Sequence, residues 1–189
     1  MAKRGTNPEA TRTHIRAVTA ALCKDNGVHA TSLGDIAKAA GISKGTLYYH
    51  YPVKDELILE IAEEHFEKPS NDLFAWIELL NHNAAPDVAV QVLTEALLSD
   101  PERLRLHVAL LCESLRTESP LHAWMRVKQK EWAMLLELGA IKMSMPAAQK
   151  FRQYGKLYFS LLDGFALHML MQGSADISLL HDMLALEDK

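Results

Sequence analysis

"SLGDIAKAAGISKGTLYYHY" occupies residues 32–51, and its spacing decides the fold. Ser32 and Asp35 stand at capping-box spacing, so a helix is expected from about Leu33 to Ala40. Ile36, Ala37 and Ala40 face inward from it. Gly41 permits a tight turn, and Ile42 plugs that turn. Ser43 caps a second helix, Lys44 to Tyr51, with Thr46 at its third position. That helix ends before Pro52, because the residue preceding a proline is pushed out of the helical region. Leu47 and Tyr51, four apart, form its inward stripe. Two short helices about a glycine turn make a helix-turn-helix.

The outward set is Lys44, Gly45, Thr46, Tyr48, Tyr49 and His50, and it suits DNA. A lysine pairs with a phosphate or a guanine edge. A threonine offers a hydroxyl to a base and a methyl to thymine. A tyrosine brings ring contact and a hydroxyl into the major groove. Gly45 lets the backbone come close, and Tyr49 and His50 reach flanking phosphates. Free helix N–H groups near Ser32, with Lys54, hold the strand on either side. A bland alternative exists: a helical hairpin that happens to expose a few aromatics.

Charge separates this head from the remainder. Residues 1–55 carry eight Lys/Arg against four Asp/Glu; residues 56–189 carry twelve against twenty. A head of +4 on a body of −8 suggests that only the head meets a polyanion. The chain has 189 residues, 49% of them hydrophobic, enough for a sizeable core. No apolar run approaches the ~20 residues of a membrane span. The N-terminus "MAKRGTNPEATRTH" lacks the apolar segment of a signal peptide. A cytoplasmic protein is expected, with Cys23 and Cys112 reduced and no membrane partner.

The sequence reads as all-α, about nine helices. Five prolines stand at helix starts, where their missing N–H is not needed: Pro8, Pro86, Pro101, Pro120 and Pro146. Asn7, Asp100 and Ser119 precede three of them as good N-caps. The first helix, about Pro8 to Asn26, stops at Gly27, which suits a left-handed cap. A fourth begins near Lys54 and reaches about Phe66, with Pro69 as a kink or break before a further piece to about Leu80. A last helix spans about Ile177 to Leu186. The expected division is a DNA-binding domain over 1–55 and a helical domain over 56–189.

Residues 10–60 resemble the DNA-binding domain of the TetR family of transcriptional repressors. The phrases "ATSLGDIAKAAGISKGTLYYHYPVKDEL" and "AALCKDNG" carry the likeness, over about a quarter of the chain. The resemblance implies an all-helical homodimer on a palindromic operator, with a divergent C-terminal domain that binds a small inducer and closes the dimer. By position, Lys44, Gly45, Thr46 and Tyr48 match base-facing residues. Tyr49, His50 and Lys54 match phosphate-facing ones, and Thr31 and Ser32 the start of the second helix. With the capping Ser43, these form the expected DNA-binding set. Three departures stand out. Cys23 replaces an aromatic and could loosen the head slightly. Val53 replaces a capping serine. Tyr51 replaces a phenylalanine and adds a hydroxyl that needs a partner.

The body carries no motif that names a ligand. Phe151, Tyr154, Tyr158, Leu161, Leu162, Phe165 and Met169 make a wide apolar face, with Gly155 and Gly164 small enough for close approach. By resemblance this helix and the last one form an intersubunit bundle. The expected interface is Phe151, Tyr154, Leu161, Leu162, Phe165, Met169, Leu180, Met183 and Leu184. Middle helices enclose the expected pocket: Trp76, His107, Leu111, Cys112, Trp124, Met125, Trp132 and Tyr158. Three tryptophans and seven methionines after residue 120 suggest an adaptable apolar cavity for a small molecule of unknown identity. The histidines are scattered, with no pair at i, i+4, so no metal or cofactor is expected. Asp163, on an apolar helix, is left between a cross-dimer pairing and a Lys or Arg bridge. The function expected is a ligand-responsive repressor. A helical protein-interaction adaptor is the alternative. An enzyme is disfavoured, because no nucleophile–base constellation or phosphate loop appears.

Overall fold

A computed structural model describes residues 7–80, 94–95 and 100–173 of the chain. Seven helices lie within these residues: α1 (Pro8–Asn26), α2 (Leu33–Ala39), α3 (Lys44–His50), α4 (Lys54–Leu79), α5 (Pro101–Ser114), α6 (Pro120–Lys142) and α7 (Met145–Gln172). No strand occurs among the described residues. The helices expected near Pro86 and over 177–186 lie outside them.

Helix starts follow the proline rule. The Asn7 side chain accepts from the Glu9 N–H at 3.1 Å, Asp100 from Glu102 at 2.9 Å, and Ser119 from Leu121 at 3.3 Å. Each accepts one of the donors that a helix start leaves unpaired. At α7 the capping residue is Ser144, whose side chain makes no cap bond. α1 ends at Gly27, but not in the left-handed conformation expected. Its φ of 81° favours glycine, while its ψ of 157° is extended. The Gly27 N–H still closes on the Cys23 carbonyl at 2.9 Å.

Of the kink or break expected at Pro69, the break does not occur: α4 continues through it to Leu79. An interior proline removes one helical hydrogen bond and costs ~3 kcal/mol or more. Here the carbonyl left without a donor, that of His65, is taken by the Arg103 guanidinium. Ser70, next along, bonds back to the Phe66 carbonyl at 2.7 Å.

The chain forms two compact units. Among the described residues the first takes 7–64 and 109–124, and the second takes 65–80, 94–95, 100–108 and 125–173. The passage from one to the other falls inside α4, α5 and α6. Ile15, Cys23, Ile36, Leu47, Leu57 and Ile61 are buried in the first unit. Leu73, Trp76, Ile77, Leu104, Leu136, Phe151, Tyr158 and Leu162 build the core of the second. Burial of each large apolar side chain contributes about 1.5–3 kcal/mol. Trp76 lies so close to Gly139 that a Cβ there would come within 3.3 Å of its ring.

Candidate nucleic-acid interface

α2 and α3 are each seven residues long, too short to persist alone, so their caps and packing decide them. The capping box of α2 is complete. The Asp35 N–H donates to Ser32 Oγ at 3.1 Å, and the Ser32 N–H donates to Asp35 Oδ2 at 3.1 Å. The bonds from Ser32 hold the Asp35 carboxyl below its ordinary range. Gly41 takes φ 65° at the turn. Ser43 then caps α3, accepting from the Thr46 N–H at 3.0 Å. The two hydroxyls of Ser43 and Thr46 meet at 2.8 Å.

Leu47 and Tyr51 are wholly buried, as their spacing predicts. Tyr51 closes α3 from the C-cap position, one residue beyond its last helical residue. Its hydroxyl finds a partner in the first unit: it donates to Glu60 Oε2 at 2.7 Å and accepts from Arg16 at 3.4 Å. Burial and the neighbouring Glu60 push the phenol pKa up, so it remains a donor. Arg12 lies 4.5 Å over the Tyr51 ring, pairs with Glu60, and donates to the His50 carbonyl at 3.1 Å. Arg16 adds a 2.5 Å pair with Glu64. This lattice fixes the C-terminal end of α3 against α1 and α4.

Sequence reasoning passed over Arg12, Arg16, Glu60 and Glu64. A signal was present. Two arginines and two glutamates, each pair four apart on its helix, face the added hydroxyl of Tyr51.

The opposite side of α3 is open. Tyr48 is 49% exposed and Tyr49 80% exposed, and Lys44 and Gly45 are exposed too. His50 is half-buried, with its ring edge-on to Tyr49 at 5.1 Å. The Lys44 stem crosses the first turn of α2, its Cε 3.7 Å from where a Gly34 Cβ would lie. Among the described residues a Cβ at Gly45 would touch only Ser43 Oγ, at 3.7 Å, so none of them demands glycine there.

Two residues expected to touch DNA sit elsewhere. Thr31 is only 2% exposed, and its hydroxyl donates to the Gly27 carbonyl at 2.9 Å. It helps close the α1–α2 connection and presents no side chain outward. Lys54 is half-buried, and its ammonium donates to the Val28 carbonyl at 2.6 Å. It secures the same connection. Val53 is exposed. Cys23 is buried; burial pushes its thiol up to about 11, while Thr31 bonds to it.

The expected pocket residues are divided between the two units. Trp76, Trp132 and Tyr158 are buried in the second unit. Trp132 stacks on Phe159 at 5.0 Å, and the Tyr158 hydroxyl meets that of Thr94 at 2.7 Å. His107 is buried beside His65, at 3.2 Å, and its other nitrogen meets Asp163 at 3.0 Å. Asp163 thus pairs with a histidine, a choice the sequence did not suggest. Met125 is buried, and Leu111 and Trp124 are half-buried. Cys112 is exposed, in a cleft of about 590 Å³ in the first unit, with Gly27, His29, Glu113, Arg116 and Glu118.

The face of α7 expected to form the dimer interface is partly occupied within the protomer. Phe151 and Leu162 are buried in the core of their own unit, and Leu161, Phe165 and Met169 pack partly against it. The Tyr154 side chain and Leu180, Met183 and Leu184 lie outside the described features. The open seam is instead Leu157, Ser160, Gly164, Leu167 and Met171, all exposed. Their spacing is that of the a and d positions of a heptad.

A helix-turn-helix with one packed and one open face defines the first unit as a nucleic-acid-binding type. Residues 15–61 match the family model described as "Bacterial regulatory proteins, tetR family". The N-terminal segment is thus similar to regulators of the TetR family. The HTH-type transcriptional regulator AcrR of Shigella flexneri is 49% identical over 53 residues, 28% of this chain and 25% of that protein. QacR of Staphylococcus aureus is 47% identical over 47 residues, 25% of each chain. The chain therefore spans about a quarter of the length of these curated relatives. Solved structures extend the likeness of fold over nearly the whole chain. A transcriptional regulator from Rhodococcus sp. Rha1 gives a TM-score of 0.70 at 21% identity, covering 95% of this chain and 92% of its own. The multidrug binding protein EbrR, complexed with imidazole, gives 0.69 at 20% identity, covering 94% and 97%. No described helix is long and apolar enough to cross a membrane.

Proposed function

We propose that the protein is a ligand-responsive transcriptional regulator acting as a repressor. It binds a palindromic operator as a homodimer, and an apolar or aromatic small molecule releases it. One observation carries this reading. Within the segment that matches the TetR model, α3 buries Leu47 and Tyr51 and leaves Lys44, Tyr48 and Tyr49 open. These exposed residues bring a cation, two rings and hydroxyls to one helix, the combination that reads base edges and phosphates. KstR2 of Rhodococcus jostii, 42% identical over 50 residues, is named a repressor, which supports that direction of control.

The dimer seats on the open seam of α7, where Ser160 and Gly164 permit close helix approach between Leu157, Leu167 and Met171. Two heads at fixed spacing then meet two half-sites about a helical turn apart, or a multiple of that. The aromatic groups of the second unit supply the ligand's surroundings. A ligand releases the operator only if it binds one conformation of the dimer better than the other.

Footprinting of purified protein on DNA flanking its own gene tests this reading. A sharp, two-fold protected site is expected, with affinity falling steeply as salt rises because phosphate contacts release counterions. A flat salt dependence, or no protection, would remove the DNA-binding reading.

A further inference from the structure

The turn of α4 that contains Pro69 is held by side chains from other helices. Proline has no N–H, so the carbonyl of His65, four residues earlier, has no helical donor. Arg103 of α5 donates to that carbonyl. One turn further along α5, His107 meets the His65 ring, Nδ1 to Nε2 at 3.2 Å. From α6, the Trp132 indole N–H donates to Ser70 Oγ at 2.9 Å, and Ser70 donates onward to the Phe66 carbonyl at 2.7 Å.

Asp163 Oδ1 accepts from His107 Nε2 at 3.0 Å, so hydrogen-bonding contacts link α4 through α5 to α7. Plain packing does not call for this arrangement. The Arg103 Nε–H is buried without a partner, and burial lowers the pKa of its guanidinium. An apolar side chain would fill the space without either cost, but it would leave the His65 carbonyl unpaired. That carbonyl has two ways to be satisfied: by Arg103, or by bending open to water, as helices do at proline.

We propose that α4 is a two-state element at the turn 65–70, closed while Arg103 occupies the His65 carbonyl and opened toward water when Arg103 leaves it. His107 and Trp132 hold the same turn from its sides and set the geometry in which Arg103 reaches. Whatever draws α5 from this turn withdraws both Arg103 and His107 together. The proposal is independent of the DNA-binding reading.

A double-substitution cycle read by amide hydrogen exchange of the full chain tests it. Arg103→Met is expected to speed exchange in peptides covering 66–73 by about tenfold or more, the loss of a charge-assisted hydrogen bond. Pro69→Ala restores an N–H for the His65 carbonyl, so in that background Arg103→Met should change the same peptides by less than about twofold. Equal acceleration in both backgrounds would show that Arg103 only fills space, and would overturn the proposal. So would no acceleration in either. Should Arg103→Met alone not fold, rescue of folding by Pro69→Ala is the expected result, and failure to rescue counts against the latch. Arg103→Lys, which keeps one cationic donor, should exchange at a rate between those of wild type and Arg103→Met; a rate equal to that of Arg103→Met would contradict the role of the donor.

Discussion

Tyr48 and Tyr51 are the same residue type, three positions apart, and they do opposite work. Tyr51 is buried on Glu60 and Arg16, while Tyr48 is half in solvent. Tyr51 stands four residues from the buried Leu47 and Tyr48 only one, so this part of the site was legible. Lys54 was not, because a lysine after a helix-turn-helix looks alike whether it faces phosphate or a carbonyl. Its bond to Val28 changes the expected outcome of substitution. Lys54→Ala should lower the melting temperature and weaken all DNA sequences alike, with the salt slope unchanged. Lys44→Ala should instead reduce that slope by about one, and Tyr48→Ala should cost about 1–3 kcal/mol and relax sequence preference. Affinities measured across a salt series, with one matched and one scrambled site, separate the three. His65 gives a residue-scale prediction about stability. Burial, then the nearby His107 and Arg103, push its pKa down to about 2. The unfolded chain takes up a proton at His65 near pH 6.5, which the folded chain refuses. Stability therefore declines as pH falls below about 6.5, by up to about 1.4 kcal/mol per pH unit from this group. Melting curves from pH 7.5 to 5 should show that decline reduced in His65→Gln, whose amide keeps a donor toward His107.

Among the elements, helix starts were the most legible part of the fold. Asn7, Asp100 and Ser119 each cap the helix they precede, because cap and proline are local chemistry. Continuity across Pro69 was illegible for the opposite reason. The donor that replaces the missing N–H comes from Arg103, 38 residues away from His65. No local rule reaches that far, and propensity yields to tertiary contact. The pairing of Asp163 with His107 spans 56 residues and was hidden in the same way. α7 failed more instructively. Its apolar residues cover most of its circumference, so periodicity could not tell the face turned to its own core from the face left open. Phe151 and Leu162 went inward, and the seam of Leu157, Gly164, Leu167 and Met171 stayed out. A helix that is apolar nearly all round has two partners to satisfy, one within the protomer and one beyond it.

At the scale of the whole molecule, the proposed function makes a second copy on that open face decisive for activity. A single helix-turn-helix makes too few base contacts for a long operator, so the proposed function requires two heads at fixed spacing. Gly164 offers a clean way to separate dimerisation from folding. Among the described residues, nothing lies within 4 Å of a Cβ built there. Gly164→Leu should leave the protomer intact and stabilise α7 by about 1 kcal/mol, since glycine is the weaker helix former. In a dimer seated on this seam, the same side chain would wedge the two copies of α7 apart. Native mass spectrometry of Gly164→Leu should show monomer where the parent shows dimer, with a melting curve no lower at matched monomer concentration. Footprints on a two-half-site operator should vanish, while weak, salt-sensitive binding to a single half-site persists through the intact α3. A Gly164→Leu protein that remained dimeric and footprinted normally would place the interface on another face. The open apolar seam of α7 would then need a different occupant.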